Sequence, residues 1–224
     1  MPSASKRRAA EREARRRQRL TVAGVVGVVV ALAAIAVLST ALGGEDGAAD
    51  GARQTRSVRV EGNALPPLPG QGSDPAVGAT APTLSGSSFN GDPVEVGPGT
   101  LGGAPQAIWF VAHWCPHCQA EVPVIVRLAN AGSIPDGIDV VAVSTSVDEA
   151  APNYSPSAWL EREGWRYPVL ADDAQGTAAR AYGVGGFPFL VVVDADGTVL
   201  VRTSGELGEQ GIVSLLDRVA DGSG

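Results

Sequence analysis

FVAHWCPHCQAEVP, residues 110–123, contains both cysteines and both histidines of this 224-residue chain, within six consecutive positions. An apolar run precedes it and a helix-forming run follows it. The spacing therefore predicts that a buried strand (residues 107–112) ends near Cys115, where a helix over residues 116–131 begins with Pro116 at its first position, a site where a missing N–H costs nothing. A thiolate at such a helix start meets unsatisfied N–H groups and the positive end of the helix dipole, which lowers its pKa below the free value of about 8.5. Cys118 falls one turn further on, on the same side and deeper. It is placed to attack a mixed disulfide formed at Cys115 and release the product. A purely structural disulfide would normally close a longer loop.

Outward from this centre the chain reads as α/β. Residues 138–144 form a second buried strand, and FLVVVDADGTVLVRT (189–203) is a hairpin around Asp-Ala-Asp-Gly. Further helices are expected over 156–163 (capped by Ser155), 174–182 and 208–220. Residues 76–96 read as a short strand pair turning at Asn-Gly-Asp-Pro. The sum is a mixed sheet flanked by helices.

The N-terminal third has a different composition. The first nineteen residues hold eight of the 17 Lys and Arg, giving that head a net +6 and the remainder −13. Residues 20–42 carry no charge over 23 positions, enough for a transmembrane helix, which needs roughly 20 apolar residues. A cleaved signal peptide ending near Ser39-Thr40-Ala41 is the alternative. Positive charge before the span places residues 1–19 in the cytoplasm and everything after residue 42 outside it. In that oxidising compartment a cysteine pair persists as a disulfide. A basic nucleic-acid arm is set aside because a membrane span follows it. Residues 43–76, rich in Gly, Ala, Pro, Asp and Ser, read as a flexible linker with a coil-like reach of about 30 Å, and the folded domain is expected over 77–224.

These motifs together resemble the thioredoxin superfamily, in particular its membrane-anchored extracytoplasmic TlpA/ResA-like branch. The resemblance spans roughly residues 77–220. VGATAPTLSGSSFNGDPVEV is similar to the family's entrance hairpin, WCPHC to its active-site motif, YPVLADDAQGTAARAYGV to the segment before its cis-proline, and GVGGFPFLVVVD to the cis-proline segment itself. The resemblance implies a thioredoxin-like fold, a cis bond at Pro188 and a redox-active Cys115–Cys118 disulfide with no organic cofactor or metal. It implies Cys115 as nucleophile, Cys118 as resolving thiol and Glu121 as proton shuttle. Pro116, His117 and Trp114 would tune or shield the pair, and the Phe187–Pro188 loop would position an extended substrate. Pro123 corresponds to a kink-forming proline. One departure concerns position 109, where cytoplasmic thioredoxin has a buried acid and this chain has Trp109; this makes Glu121, or water, the more necessary.

The direction of exchange is left open. An imidazolium at His117 favours the thiolate and hence a more oxidising disulfide; Cys-Pro-His-Cys is the DsbA-type sequence, slightly favouring an oxidant. The surrounding scaffold resembles a branch made mostly of reductases, some serving cytochrome c maturation. The implied partners are extracytoplasmic protein thiols or disulfides and a membrane redox partner that resets the pair, with the protein itself a single-pass, membrane-anchored monomer that binds no nucleic acid. A copper-binding chaperone using His113, Cys115, His117 and Cys118 is the remaining alternative, disfavoured because no distant histidine completes a site. His113 is otherwise read as a solvated loop residue, and Trp159 and Trp165 as packing residues.

Overall fold

The structure is a computed structural model that describes residues 53–98, 100 and 104–222. The expected cytoplasmic head, the span at 20–42 and the first part of the linker lie outside the described residues. No described helix is long and apolar enough to cross a membrane.

Among the described residues two sheets form. Strands β1 (Arg59–Glu61), β2 (Thr83–Ser87) and β3 (Pro93–Val96) make an antiparallel sheet in that order. The main sheet contains β4 (Gln106–Val111), β5 (Asp139–Ser144), β6 (Val169–Ala171), β7 (Phe189–Val193) and β8 (Val199–Ser204). Its order is β6-β5-β4-β7-β8. β4 runs parallel to β5 and antiparallel to β7, so the sheet is mixed. The helices are α1 (Pro116–Asn130), α2 (Pro156–Arg162), α3 (Thr177–Ala181) and α4 (Gly208–Ala220). This is the mixed sheet flanked by helices that the sequence predicts. β6 is a strand the periodicity did not single out, because three residues are too few to display a period.

The uninterrupted apolar run of β4 follows from burial on both faces. Successive side chains alternate between faces: Ala107, Trp109 and Val111 pack with Val122 and Ile125 of α1 and Ile212 and Leu216 of α4. Ile108 and Phe110 face the opposite way, toward Leu84 of β2 and Ala178 and Tyr182 beside α3. The central strand is thus fixed by two cores, and its C-terminal end, where Cys115 follows, has little freedom to shift.

The linker expectation is corrected over residues 53–76. This stretch belongs to the folded unit: β1 pairs with β2, the Leu65 N–H donates to the Ala181 carbonyl at 2.8 Å, and Leu65 is buried. Arg202 of β8 fastens it, donating to Asp74 at 2.5 and 2.8 Å, to the Pro66 carbonyl at 2.8 Å and to the Tyr182 carbonyl at 2.8 Å. The close approach requires glycine at 183, where φ is +69° and a Cβ would fall 2.3 Å from the Pro66 oxygen. Gly- and Pro-rich composition looks like a tether because it lacks a period, yet here the order comes from a buried guanidinium and main-chain bonds that leave no periodic signature.

Candidate active site

Cys115 is the residue before α1, with extended backbone, and Pro116 opens the helix as expected. The Cys115 N–H donates to the Ala112 carbonyl at 3.0 Å, closing the turn from strand into helix. Both cysteines are buried in one core cluster, Cys115 keeping 6% exposure and Cys118 none, so Cys115 is the more accessible of the two. Cys118 Sγ accepts from the Ala112 N–H at 3.5 Å. Burial pushes the Cys118 thiol well up; the Ala112 N–H offsets part of this, and the nearby Cys115 and Glu121 add to it. Cys118 is thus held as a thiol until something takes its proton.

The Phe187–Pro188 segment lies over this pair. The Phe187–Pro188 bond is cis. The Cys115 thiol donates to the Phe187 carbonyl at 3.5 Å, and the Trp114 ring meets the Phe187 ring edge-on with centroids 6.1 Å apart. Trp114 is held from behind, its indole N–H donating to the Ser146 carbonyl at 2.7 Å, and remains partly exposed beside the sulfur. The Cys115 sulfur, beside an aromatic ledge and a fixed backbone segment, can meet an extended chain.

Glu121 is buried on α1, one turn beyond Cys118, and is not a solvated helix residue. Its two carboxylate oxygens accept the backbone N–H groups of Leu207 and Gly208 at 2.9 and 3.1 Å, at the start of α4. It therefore also satisfies donors that a helix N-terminus leaves orphaned. Trp109 packs in the same core cluster as Cys118, so an indole and not a carboxyl fills this position. Pro123 lies inside α1.

His113 corrects its expectation. It is fully buried: Nε2 accepts the Asp148 N–H at 3.2 Å, and Nδ1 pairs with the Pro152 carbonyl at 2.8 Å, which fixes the proton on Nδ1. Its role is to hold the loop after β5 against the active-site turn, and with both ring nitrogens engaged it is not free to ligate copper. No cluster of three potential ligands occurs among the described residues. His117 is exposed, and its Nδ1 contacts the Glu206 carboxylate. Sequence reasoning missed Glu206, which lies 89 positions away in a polar turn and carries no motif.

The family model described as Redoxin matches residues 76–217. The chain is 32% identical over 119 residues to the Soluble secreted antigen MPT53 of Mycobacterium tuberculosis, covering 53% of this chain and 60% of that protein. It is 30% identical over 116 residues to the Thiol:disulfide interchange protein HelX of Rhodobacter capsulatus, covering 51% of this chain and 60% of the relative. The matched region thus spans about 60% of the length of these curated relatives. A crystal structure of a thiol:disulfide interchange protein of the thioredoxin family from Chlorobium tepidum superposes with TM-score 0.51 at 25% identity, covering 62% of this chain and 93% of the other. That likeness shows the thioredoxin-like fold.

Proposed function

The chain belongs to the Redoxin family, and on that premise we propose that it is a thiol–disulfide oxidoreductase acting on exported protein substrates. The observation that carries this reading is the pairing of Cys115, the more accessible cysteine, with a fully buried Cys118 one turn on, under the Phe187 carbonyl. As an oxidant, the Cys115–Cys118 disulfide is attacked at Cys115 by a substrate thiolate, and Cys118 leaves and takes a proton. A second substrate thiolate then attacks the substrate sulfur of the mixed disulfide, releasing Cys115 as thiolate. Two electrons pass from the substrate thiols to the cysteine pair. As a reductant the same steps run backward: Cys115 attacks a substrate disulfide and Cys118, giving its proton to Glu121 or water, resolves the intermediate.

The TlpA/ResA-like assignment, the membrane anchor at residues 20–42 and a membrane partner that resets the pair complete the proposal; the charge-free run behind a basic head supports the anchor. His117 between the cysteines supports the oxidising direction. The reducing direction has one observation in its favour, the Glu206 carboxylate on His117, which offsets the imidazolium charge. The deciding experiment is the reduction potential in glutathione buffers. A value of about −120 to −180 mV places the protein with the oxidants, and about −250 mV or lower with the reductases. Exchange activity that survives Cys115→Ser would overturn the reading as a whole.

A further inference from the structure

The turn between β8 and α4 meets the active site at three points. The Gly205 N–H donates to the Pro188 carbonyl at 2.9 Å, the Leu207 and Gly208 N–H groups bind Glu121, and Glu206 Oε1 contacts His117 Nδ1. The first and second contacts fix the backbone on either side of Glu206, so its carboxylate is delivered to His117 by a rigid frame. The paired side chains are 66% and 41% exposed. A pair so exposed contributes little to stability, but it lies at the dipeptide between the two cysteines, where charge bears on the sulfur.

We propose that Glu206 is a positioning residue for the redox chemistry: it holds the His117 imidazole and offsets its charge, setting the Cys-Pro-His-Cys pair at a more reducing potential than that dipeptide would otherwise have. The inference rests on reading Cys115 and Cys118 as an exchange centre. In the oxidising direction the disulfide accepts two electrons from two substrate thiols, which join as a disulfide; Cys118 keeps one proton, the other goes to solvent, and Cys115 is left as thiolate. Positive charge beside Cys115 favours that product. A carboxylate in contact with the positive charge works against it. A shift away from the oxidising side that the dipeptide slightly favours is thereby encoded 89 residues away from it.

The test equilibrates the full-length protein with reduced and oxidised glutathione at pH 6, below the ordinary histidine value of about 6.5, and follows the dithiol fraction by thiol trapping. Glu206→Gln is expected to shift the equilibrium constant at least threefold toward the dithiol, a tenfold shift being about 30 mV for two electrons. Glu206→Asp, which keeps the charge, is expected to stay closer to the native value than Glu206→Gln does. In a His117→Ala background, Glu206→Gln should produce less than half the logarithmic shift. A shift below threefold or toward the disulfide, an Asp variant no closer to native than Gln, or an undiminished effect without His117 overturns the inference while leaving the exchange centre intact. A native protein with no reversible Cys115–Cys118 disulfide in these buffers would instead defeat the functional reading on which the inference rests.

Discussion

The Cys115 sulfur lies 3.5 Å from the carbonyl oxygen of Phe187, a residue 72 positions later in the chain. β4 and β7 are antiparallel neighbours, with Phe110 opposite Phe189. The loop entering β7 therefore arrives where the chain leaves β4, and Cys115 and the Phe187–Pro188 segment are brought together by strand pairing.

From this relationship the roles of the two sulfurs separate. Cys115→Ser is expected to abolish exchange with a protein disulfide substrate. Cys118→Ser should leave the first step intact and accumulate mixed disulfides at Cys115, read by non-reducing electrophoresis and mass spectrometry. If Cys115→Ser and Cys118→Ser trapped equal amounts of substrate, the proposed assignment of Cys115 as nucleophile and Cys118 as resolver would be wrong.

The capping role of Glu121 and its proposed role as a base can be told apart. Glu121→Gln keeps the side chain's shape and one acceptor oxygen but removes its capacity as a base, and general-base catalysis contributes about 10²–10⁴-fold. The resolving step is expected to slow by at least about tenfold at neutral pH, and less at high pH, where hydroxide takes over. Urea unfolding of the same variant measures the separate loss at the start of α4, expected to be about 1–2 kcal/mol. An unchanged resolving rate would assign Glu121 to helix capping alone.

The domain boundary is tested by truncation. A fragment of residues 53–224 should melt cooperatively, whereas residues 77–224 lack β1, Leu65 and the Asp74 partner of a buried guanidinium. Removing one member of a buried pair costs about 3–5 kcal/mol, and at about 2–4 °C per kcal/mol for a domain of this size the shorter fragment should melt on the order of 10 °C lower. Equal melting temperatures would show that residues 53–76 add nothing to the fold.

The same pair makes a pH prediction. The Arg202 guanidinium beside Asp74 holds its carboxyl below the usual carboxylate range. A group whose folded pKa is depressed contributes stability that is present above its unfolded pKa, about 3.9 for Asp, and lost as pH falls through the folded value. Native protein should therefore lose more stability between pH 5 and pH 2.5 than Asp74→Asn does, by urea unfolding at each pH. Parallel losses would show that Asp74 contributes nothing to the acid sensitivity.

His113 bridges two backbone groups from inside the core. In His113→Leu the Asp148 N–H and the Pro152 carbonyl lose their partner, and each buried group left unpaired costs about 1–3 kcal/mol. The expected result is a lower urea midpoint together with faster hydrogen exchange over residues 146–154. Unchanged exchange there would show that the loop is held by other contacts.

By itself the sequence determined whatever depends on local pattern. The alternating and continuous apolar runs located β4, β5, β7 and β8, and α4 begins and ends where its pattern does, at Gly208 and Ala220. Cys-Pro-His-Cys at a strand-to-helix junction marked the candidate reactive centre, because thiol–disulfide exchange uses two sulfurs one turn apart and both lie within four residues. Only the tertiary structure decided what depends on partners distant in sequence. Residues 53–76 are ordered by Arg202 and by main-chain bonds, His113 is buried because a loop 35 residues later offers it a backbone N–H, and Glu206 reaches His117 because the turn before α4 packs beside the cis-proline segment. Single polar contacts across dozens of residues have no periodicity and no fixed spacing, so they leave no trace in the sequence until folding brings their two ends together.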